Sequence, residues 1–128
     1  MASSLITLPM CFEFNSYITG HHVYKDIWKP NIGDLLSSWR EKDNPHDEYV
    51  VCIMKESLIV GHVPRDLSKS VSYLLLCGTK IVITVAGKYE SKRNNSLEVP
   101  AKYEVRGPKY HVERAKIFIY DYFERMRK

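Results

Sequence analysis

The sequence predicts one α+β domain that is built mainly of strands. Short runs of alternating or β-branched apolar residues recur along it, as in 11–18 and 79–86, and such runs are typical of strands. A helical pattern follows Pro64 and stops at Gly78, which are the residues expected at the start and the end of a helix. The 128 residues are 45% hydrophobic and 27% charged, so one globular core is expected.

The first half of the chain predicts strands separated by turns and one aromatic loop. Four strands are expected, over 11–18, 35–40, 49–55 and 58–62. Residues 21–33 are rich in aromatic rings and in turn residues, so we expect an ordered loop there, with its rings half buried and without a helix. Asp43-Asn44-Pro45 predicts the turn before the third strand, which should pair with the fourth as a hairpin.

The second half predicts one helix between strands. Its apolar face, over 64–76, consists of Leu67, Val71, Leu74 and Leu75. A strand is expected over 79–86 and another over 97–105. Pro100 within the last strand indicates an edge or a bulge, and Arg106-Gly107-Pro108 should end it.

The C-terminal segment predicts a basic amphipathic helix. Apolar residues at helical spacing are Val112, Ala115, Phe118 or Ile119, Tyr122 and Phe123, although the run 117–120 alone also suits a strand. Residues 102–128 hold 8 Lys or Arg against 4 Asp or Glu, whereas 1–101 balance at 11 against 11. The helix either packs over an open edge of the sheet or dimerises. The resulting divisions are an arm over 1–10, a domain over 11–108 and the helix over 109–128.

Several function classes lack their sequence signals. No apolar run reaches the roughly 20 residues of a membrane helix, and residues 1–10 lack the pattern of a secretory signal. Three cysteines, Cys11, Cys52 and Cys77, lie among apolar neighbours, which favours a reducing compartment, the nucleus or the cytoplasm. Metal-ligand spacings and catalytic motifs are absent. We therefore expect no cofactor, no metal, no membrane partner and no enzymatic activity.

Three separated motifs carry a resemblance to a known family. They are Asn44-Pro45-His46-Asp47, Val60-Gly61-His62-Val63-Pro64-Arg65 and Asn94-Asn95-Ser96-Leu97-Glu98-Val99-Pro100. In this order they resemble the HIRAN domain. The resemblance implies a small OB-like β-barrel of about six strands with one packed helix, to which the C-terminal helix is added. Barrels of this kind bind single strands through stacking surfaces and a basic groove.

The resemblance also implies a function and a site. The expected function is a nucleic-acid-binding module that recognises single-stranded DNA or free 3′ ends with modest affinity, in the manner of DNA repair proteins. Larger members of the family join the module to a helicase or a ubiquitin ligase, so such proteins are the implied partners. The implied groove is lined by His22, Tyr24, Asn44, His46, Asp47, His62, Arg65, Asn95 and Leu97.

The implied roles match only part of this chain. Asp47 matches the acid that accepts a hydrogen bond from the 3′ hydroxyl, and His62 and Arg65 match residues that meet phosphates. Where DNA-binding members stack bases on an Arg-Tyr pair and a Phe, this chain has His22-Val23 and Leu97. His46 replaces a Tyr, with a ring that still stacks.

Structural roles and a second function class stay open. A purely structural role also fits two of these residues. Asp47 fits as the cap of the turn that Asn44-Pro45 opens, and His62 fits as a half-buried histidine that is hydrogen-bonded to a backbone carbonyl. Tyr24, Trp28 and Trp39 are more typical of core and rim than of a ligand platform. The alternative function is a protein-interaction or scaffolding module that keeps the barrel but not the DNA-end pocket.

Overall fold

Seven strands and three helices are seen in the part of the chain that this computed structural model describes, which is residues 9–24, 26–41, 48–88, 90–91 and 97–127. For residues 21, 22, 90, 91 and 97 only the backbone is described. The strands are β1 Pro9–Ile18, β2 Leu35–Arg40, β3 Val51–Lys55, β4 Leu58–His62, β5 Lys80–Val85, β6 Glu90–Ser91 and β7 Leu97–Pro108. The helices are α1 His21–Tyr24, α2 Arg65–Leu76 and α3 Lys109–Met126. None of these helices is long and apolar enough to cross a membrane.

The strands form one antiparallel sheet that closes on itself. Its order is β1-β7-β5-β2-β3-β4, with the short β6 paired to β7 at the side. The two ends of this path meet at Thr19 and His62, where the Thr19 N–H donates to the His62 carbonyl at 2.8 Å and the His62 N–H donates to the Thr19 carbonyl at 2.9 Å. The mainly β fold and the OB-like barrel that the resemblance implied are therefore confirmed.

Alternate residues of each strand fill the barrel. Phe14 of β1 stacks on Tyr103 of β7, with ring centroids 4.9 Å apart, and both rings are buried. The Tyr103 hydroxyl donates to the Tyr17 carbonyl at 2.6 Å, because a phenol buried in a core must find an acceptor. Burial raises the pKa of Tyr103 far above its ordinary value, so the phenol stays protonated and remains a donor.

Helix α2 covers one end of the barrel with its predicted apolar face. Leu67, Val71 and Leu74 are buried, as the spacing predicts. The Arg40 Nε of β2 donates to the Ser72 hydroxyl at 2.8 Å, which ties the helix to the sheet. Gly78 follows the helix with a φ of 80°, a left-handed conformation that glycine adopts at little cost.

Strand β7 differs from the prediction in length and in position. It runs through Arg106 and Gly107 to Pro108, because β1 pairs with it along its whole end, from Ile18 with Val99 to Pro9 with Pro108. It also lies between β1 and β5, so the expected edge position of Pro100 is wrong. On the other side of β7 the partner strand changes at this residue, since β6 pairs with β7 as far as Glu98 and the pairing with β5 begins at Ala101. Proline is tolerated at such a discontinuity of the ladder.

The loop predicted over 21–33 contains one helical turn. Residues His21–Tyr24 form α1, so the expectation that this stretch has no helix is wrong. Trp28 is more buried than expected, at 5% exposure, and its indole N–H donates to Asp34 at 3.2 Å. The same carboxylate accepts the Asn31 N–H at 3.1 Å. One acidic residue thus holds the turn that leads into β2.

Helix α3 packs on the barrel instead of extending from it. Val112, Ala115 and Ile119 are buried, and Tyr122 and Phe123 pack against the same core. The helix contacts α2, β1 and β7. The sequence left Phe118 and Ile119 as alternatives for the buried position, and Phe118 is 63% exposed. The helix thus packs on the barrel through its contacts with β1 and β7, and dimerisation stays a prediction.

Candidate nucleic-acid interface

The closure of the barrel brings two predicted site residues together. His62 is the last residue of β4, and Tyr24 ends α1, which lies against both β4 and β7. Their ring centroids are 6.3 Å apart with planes inclined at 44°. Thr19 adds a third polar group, because its hydroxyl donates to the His62 carbonyl at 3.0 Å. The His62 carbonyl therefore accepts hydrogen bonds from both the N–H and the hydroxyl of Thr19.

A β-bulge turns the His62 side chain away from the core. The register between β3 and β4 shifts at Ile53 and Met54, where Val60 is an extra residue. Val60 is buried in the core, and strict alternation would send His62, two residues later, inward as well. The bulge instead puts His62 opposite Cys52, on the outer face, as bulges near functional sites often do.

Glu41 is the charged neighbour of this pair of rings. One of its carboxylate oxygens lies 3.6 Å from the His62 Nε2, an ion pair when the imidazole is protonated. Burial raises the pKa of the Tyr24 phenol, and the Glu41 carboxylate and the Cys52 thiol raise it further. Burial, with Glu41 again, also raises the pKa of the Cys52 thiol. Both groups stay protonated at neutral pH, and Cys52 is therefore a poor nucleophile.

Arg65 begins α2 three residues after His62. Its side chain is exposed and has no ion-pair partner among the described residues. Pro64, the residue before the helix, has no capping side chain. The first N–H groups of a helix favour anions, so this end of α2 offers a cation and backbone donors. Asp66 in the same turn is negative, and its carboxylate accepts the Tyr122 hydroxyl at 3.2 Å.

The remaining predicted residues lie partly or wholly outside the described part of the chain. His22 lies in α1 and Leu97 begins β7, and only their backbones are described. Asn44, His46, Asp47 and Asn95 fall outside the described residues. In the sequence, Glu41 precedes Asn44, His46 and Asp47 and Val50 follows them, and the Glu41 N–H donates to the Val50 carbonyl at 2.9 Å. Glu41 itself lies beside His62.

Sequence reasoning missed four residues at this place. Thr19, Trp39, Glu41 and Cys52 all lie beside His62 or in line with it. No motif marks them, since their positions depend on the strand register and on the bulge. The hairpin prediction for β3 and β4 was the one signal that could have paired Cys52 with His62. No three described His, Cys, Asp or Glu residues could hold a metal ion.

The closed barrel, with a polar and aromatic patch beside its closure, is typical of small OB-like barrels. Small barrels of OB type carry ligand surfaces on their strands and in the adjoining loops. The HIRAN domain model matches residues 11–105. The chain belongs to the HIRAN domain family. A search of curated proteins gave no match.

Solved structures agree with this family. The crystal structure of the HIRAN domain of human HLTF is similar with a TM-score of 0.68 at 17% identity, covering 84% of this chain and 86% of that one. The NMR structure of the same domain in its DNA-bound conformation gives 0.64 at 15% identity, with 90% of each chain covered. A crystal structure of a Lactobacillus plantarum protein gives 0.54 at 12% identity, covering 76% of this chain and 98% of that one. At these identities the likeness establishes the fold.

Proposed function

We propose that this chain is a nucleic-acid-binding module that holds single-stranded DNA, preferably at a free 3′ end, beside the closure of its barrel. The observation that carries the proposal is the meeting of His62, Tyr24 and Glu41 at one place, with the Glu41 N–H bonded to the Val50 carbonyl. The HIRAN domain of human HLTF, which has the same fold, has been described in a DNA-bound conformation.

Phosphate contacts are the first part of the proposed binding. His62 is partly exposed, and Arg65 begins the uncapped helix α2. A guanidinium, an imidazolium and backbone N–H groups are suited to phosphate oxygens. Glu41 and Asp66 carry negative charge in the same region, which repels a phosphate backbone. We therefore expect modest affinity.

Recognition of the end itself is assigned to Asp47. An ionised carboxylate accepts hydrogen bonds and cannot donate them, so it suits a terminal hydroxyl and repels a terminal phosphate. Tyr24 supplies a ring on which a base can stack, since its phenol is neutral and partly exposed.

Substitution of Asp47 by alanine is expected to remove the preference for a free 3′ hydroxyl. In fluorescence anisotropy with a 5′-labelled strand of roughly ten nucleotides, the unsubstituted chain should bind the 3′-hydroxyl form about tenfold more tightly than the 3′-phosphate form, since a hydrogen bond to a charged group contributes about 1.5 kcal/mol or more. Asp43→Ala, which changes the net charge equally, should keep the preference. A preference that survives Asp47→Ala would contradict the assignment.

A protein-interaction role is the second candidate, and one groove favours it. The groove, about 430 Å³ in volume, lies between α2 and α3 and is lined by Lys69, Ser70, Tyr73, Arg114, Ala115 and Phe118. Phe118 is 63% exposed there. Salt separates the two functions, because the affinity for a single strand falls with a log–log slope of about 0.7 per phosphate contact, whereas an apolar peptide interface lacks such a slope.

A further inference from the structure

One row of side chains crosses the outer face of the barrel at the level of His62. Cys52 lies opposite both His62 of β4 and Trp39 of β2, and Thr19 lies on the other side of His62. Directly opposed residues of antiparallel strands project from the same face of a sheet. The backbones of Trp39 and His62 are therefore two strand spacings apart, about 10 Å.

Trp39 is the most unusual member of this row. Its side chain is 63% exposed, whereas the other tryptophan of the chain, Trp28, is 5% exposed. Within the described part of the chain, no ring or cation is stacked on the Trp39 indole. A large flat ring with an exposed face is well suited to a binding surface, and tryptophan is enriched at such surfaces for this reason.

We propose that Trp39 is the main base-stacking platform of this chain. The inference rests on the proposed function and deepens it, since it adds to Tyr24 a second, more exposed ring that receives a base. The spacing of about 10 Å to His62 corresponds to about three nucleotides at the stacked distance of about 3.4 Å. A strand whose phosphate is held at His62 can thus lay a nearby base on the indole.

This assignment explains how a groove without the expected rings retains stacking. At two positions where the family resemblance implies a stacking ring, this chain has Val23, which is 64% exposed, and Leu97. Neither side chain has a π face. Stacking of a base on an aromatic ring is worth about a factor of 10 to 100 in affinity and tolerates any base. Trp39 supplies that contribution from β2.

Trp39→Ala tests the assignment by affinity. With an oligothymidine strand, the variant should bind about 10- to 100-fold more weakly, and Trp39→Phe should lose only part of the affinity. Leu35→Ala is the matched control, since Leu35 is 68% exposed on the same face of β2, four residues away. It should bind as the unsubstituted chain does. A strand that lacks one base should bind the unsubstituted chain more weakly when the missing base is the one that stacks on Trp39. The affinity of the Trp39→Ala variant should not change with the position of the missing base.

Intrinsic fluorescence gives a second readout that needs no substitution. The exposed indole should be quenched when the strand binds, and bound strand should protect it from acrylamide, while buried Trp28 contributes a constant background. If the unsubstituted chain binds DNA but neither quenching nor a loss in Trp39→Ala is seen, Trp39 is not the platform and the proposed function stands. If the unsubstituted chain does not bind, the proposed function fails and the platform with it.

Discussion

Substitution of Gly61 by alanine is expected to lower the free energy of unfolding by about 3 kcal/mol, the upper range for overpacking a core. A Cβ at Gly61 would lie 2.5 Å from the Ile18 Cγ2 and 2.8 Å from the Thr19 carbonyl oxygen. Ile18 is fully buried, and the Thr19 backbone is held by its two hydrogen bonds to His62. Neither group can retreat without opening the barrel.

Urea unfolding, followed by circular dichroism, measures this change. Gly87→Ala is the control, since its Cβ would approach the Pro100 ring at 3.3 Å, at a partly exposed position; its effect should stay below about 1 kcal/mol. Gly61→Ala should also weaken DNA binding, because the displaced closure carries His62. Equal stability of the Gly61→Ala variant and the unsubstituted chain would contradict the described closure.

Simultaneous replacement of His62 and Arg65 by alanine is expected to give the largest loss of DNA affinity, about 100-fold. Each side chain is assigned a charge-assisted contact to phosphate, worth roughly 1.5 kcal/mol. The log–log salt slope should fall by about 0.7 for each contact that is lost. Anisotropy titrations at several salt concentrations measure both quantities on the same strand.

Two further variants separate a local contact from a general effect of charge. Arg106→Ala removes an exposed cation opposite Cys11, toward the other end of β1, and should leave affinity nearly unchanged. Glu41→Gln removes the carboxylate beside His62 and should strengthen binding severalfold, because a like charge near phosphate is removed. An equal loss in Arg106→Ala and in the double variant would indicate nonspecific attraction.

Local signals in the sequence predicted those helices and strands whose ends carry a proline, a glycine or a turn. Pro64 and Gly78 bound α2, and the hairpin of β3 and β4 follows from two short apolar runs separated by a turn. The end of β7 was predicted incorrectly because it depends on a distant partner. Pro108 would normally end a strand, but its pairing with Pro9 extends the ladder.

The candidate site was predictable to the extent that motifs carried it. Tyr24, His62 and Arg65 were selected from the resemblance. Trp39 was interpreted as core or rim, and its place in line with His62 depends on the Val60 bulge and on the register of three strands. Such a register is a property of the assembled sheet, since a shift of one residue in the pairing of a strand moves all its side chains to the opposite face of the sheet.

Titration of the nitrogen-15-labelled chain with a short single-stranded DNA, followed by amide chemical shifts, tests most directly whether DNA binds beside the closure of the barrel. Saturable shifts are expected around that closure, at Thr19, Tyr24, Trp39, Cys52, His62 and Arg65. The absence of shifts, or shifts confined to the groove between α2 and α3 around Tyr73, Ala115 and Phe118, would contradict binding at that place.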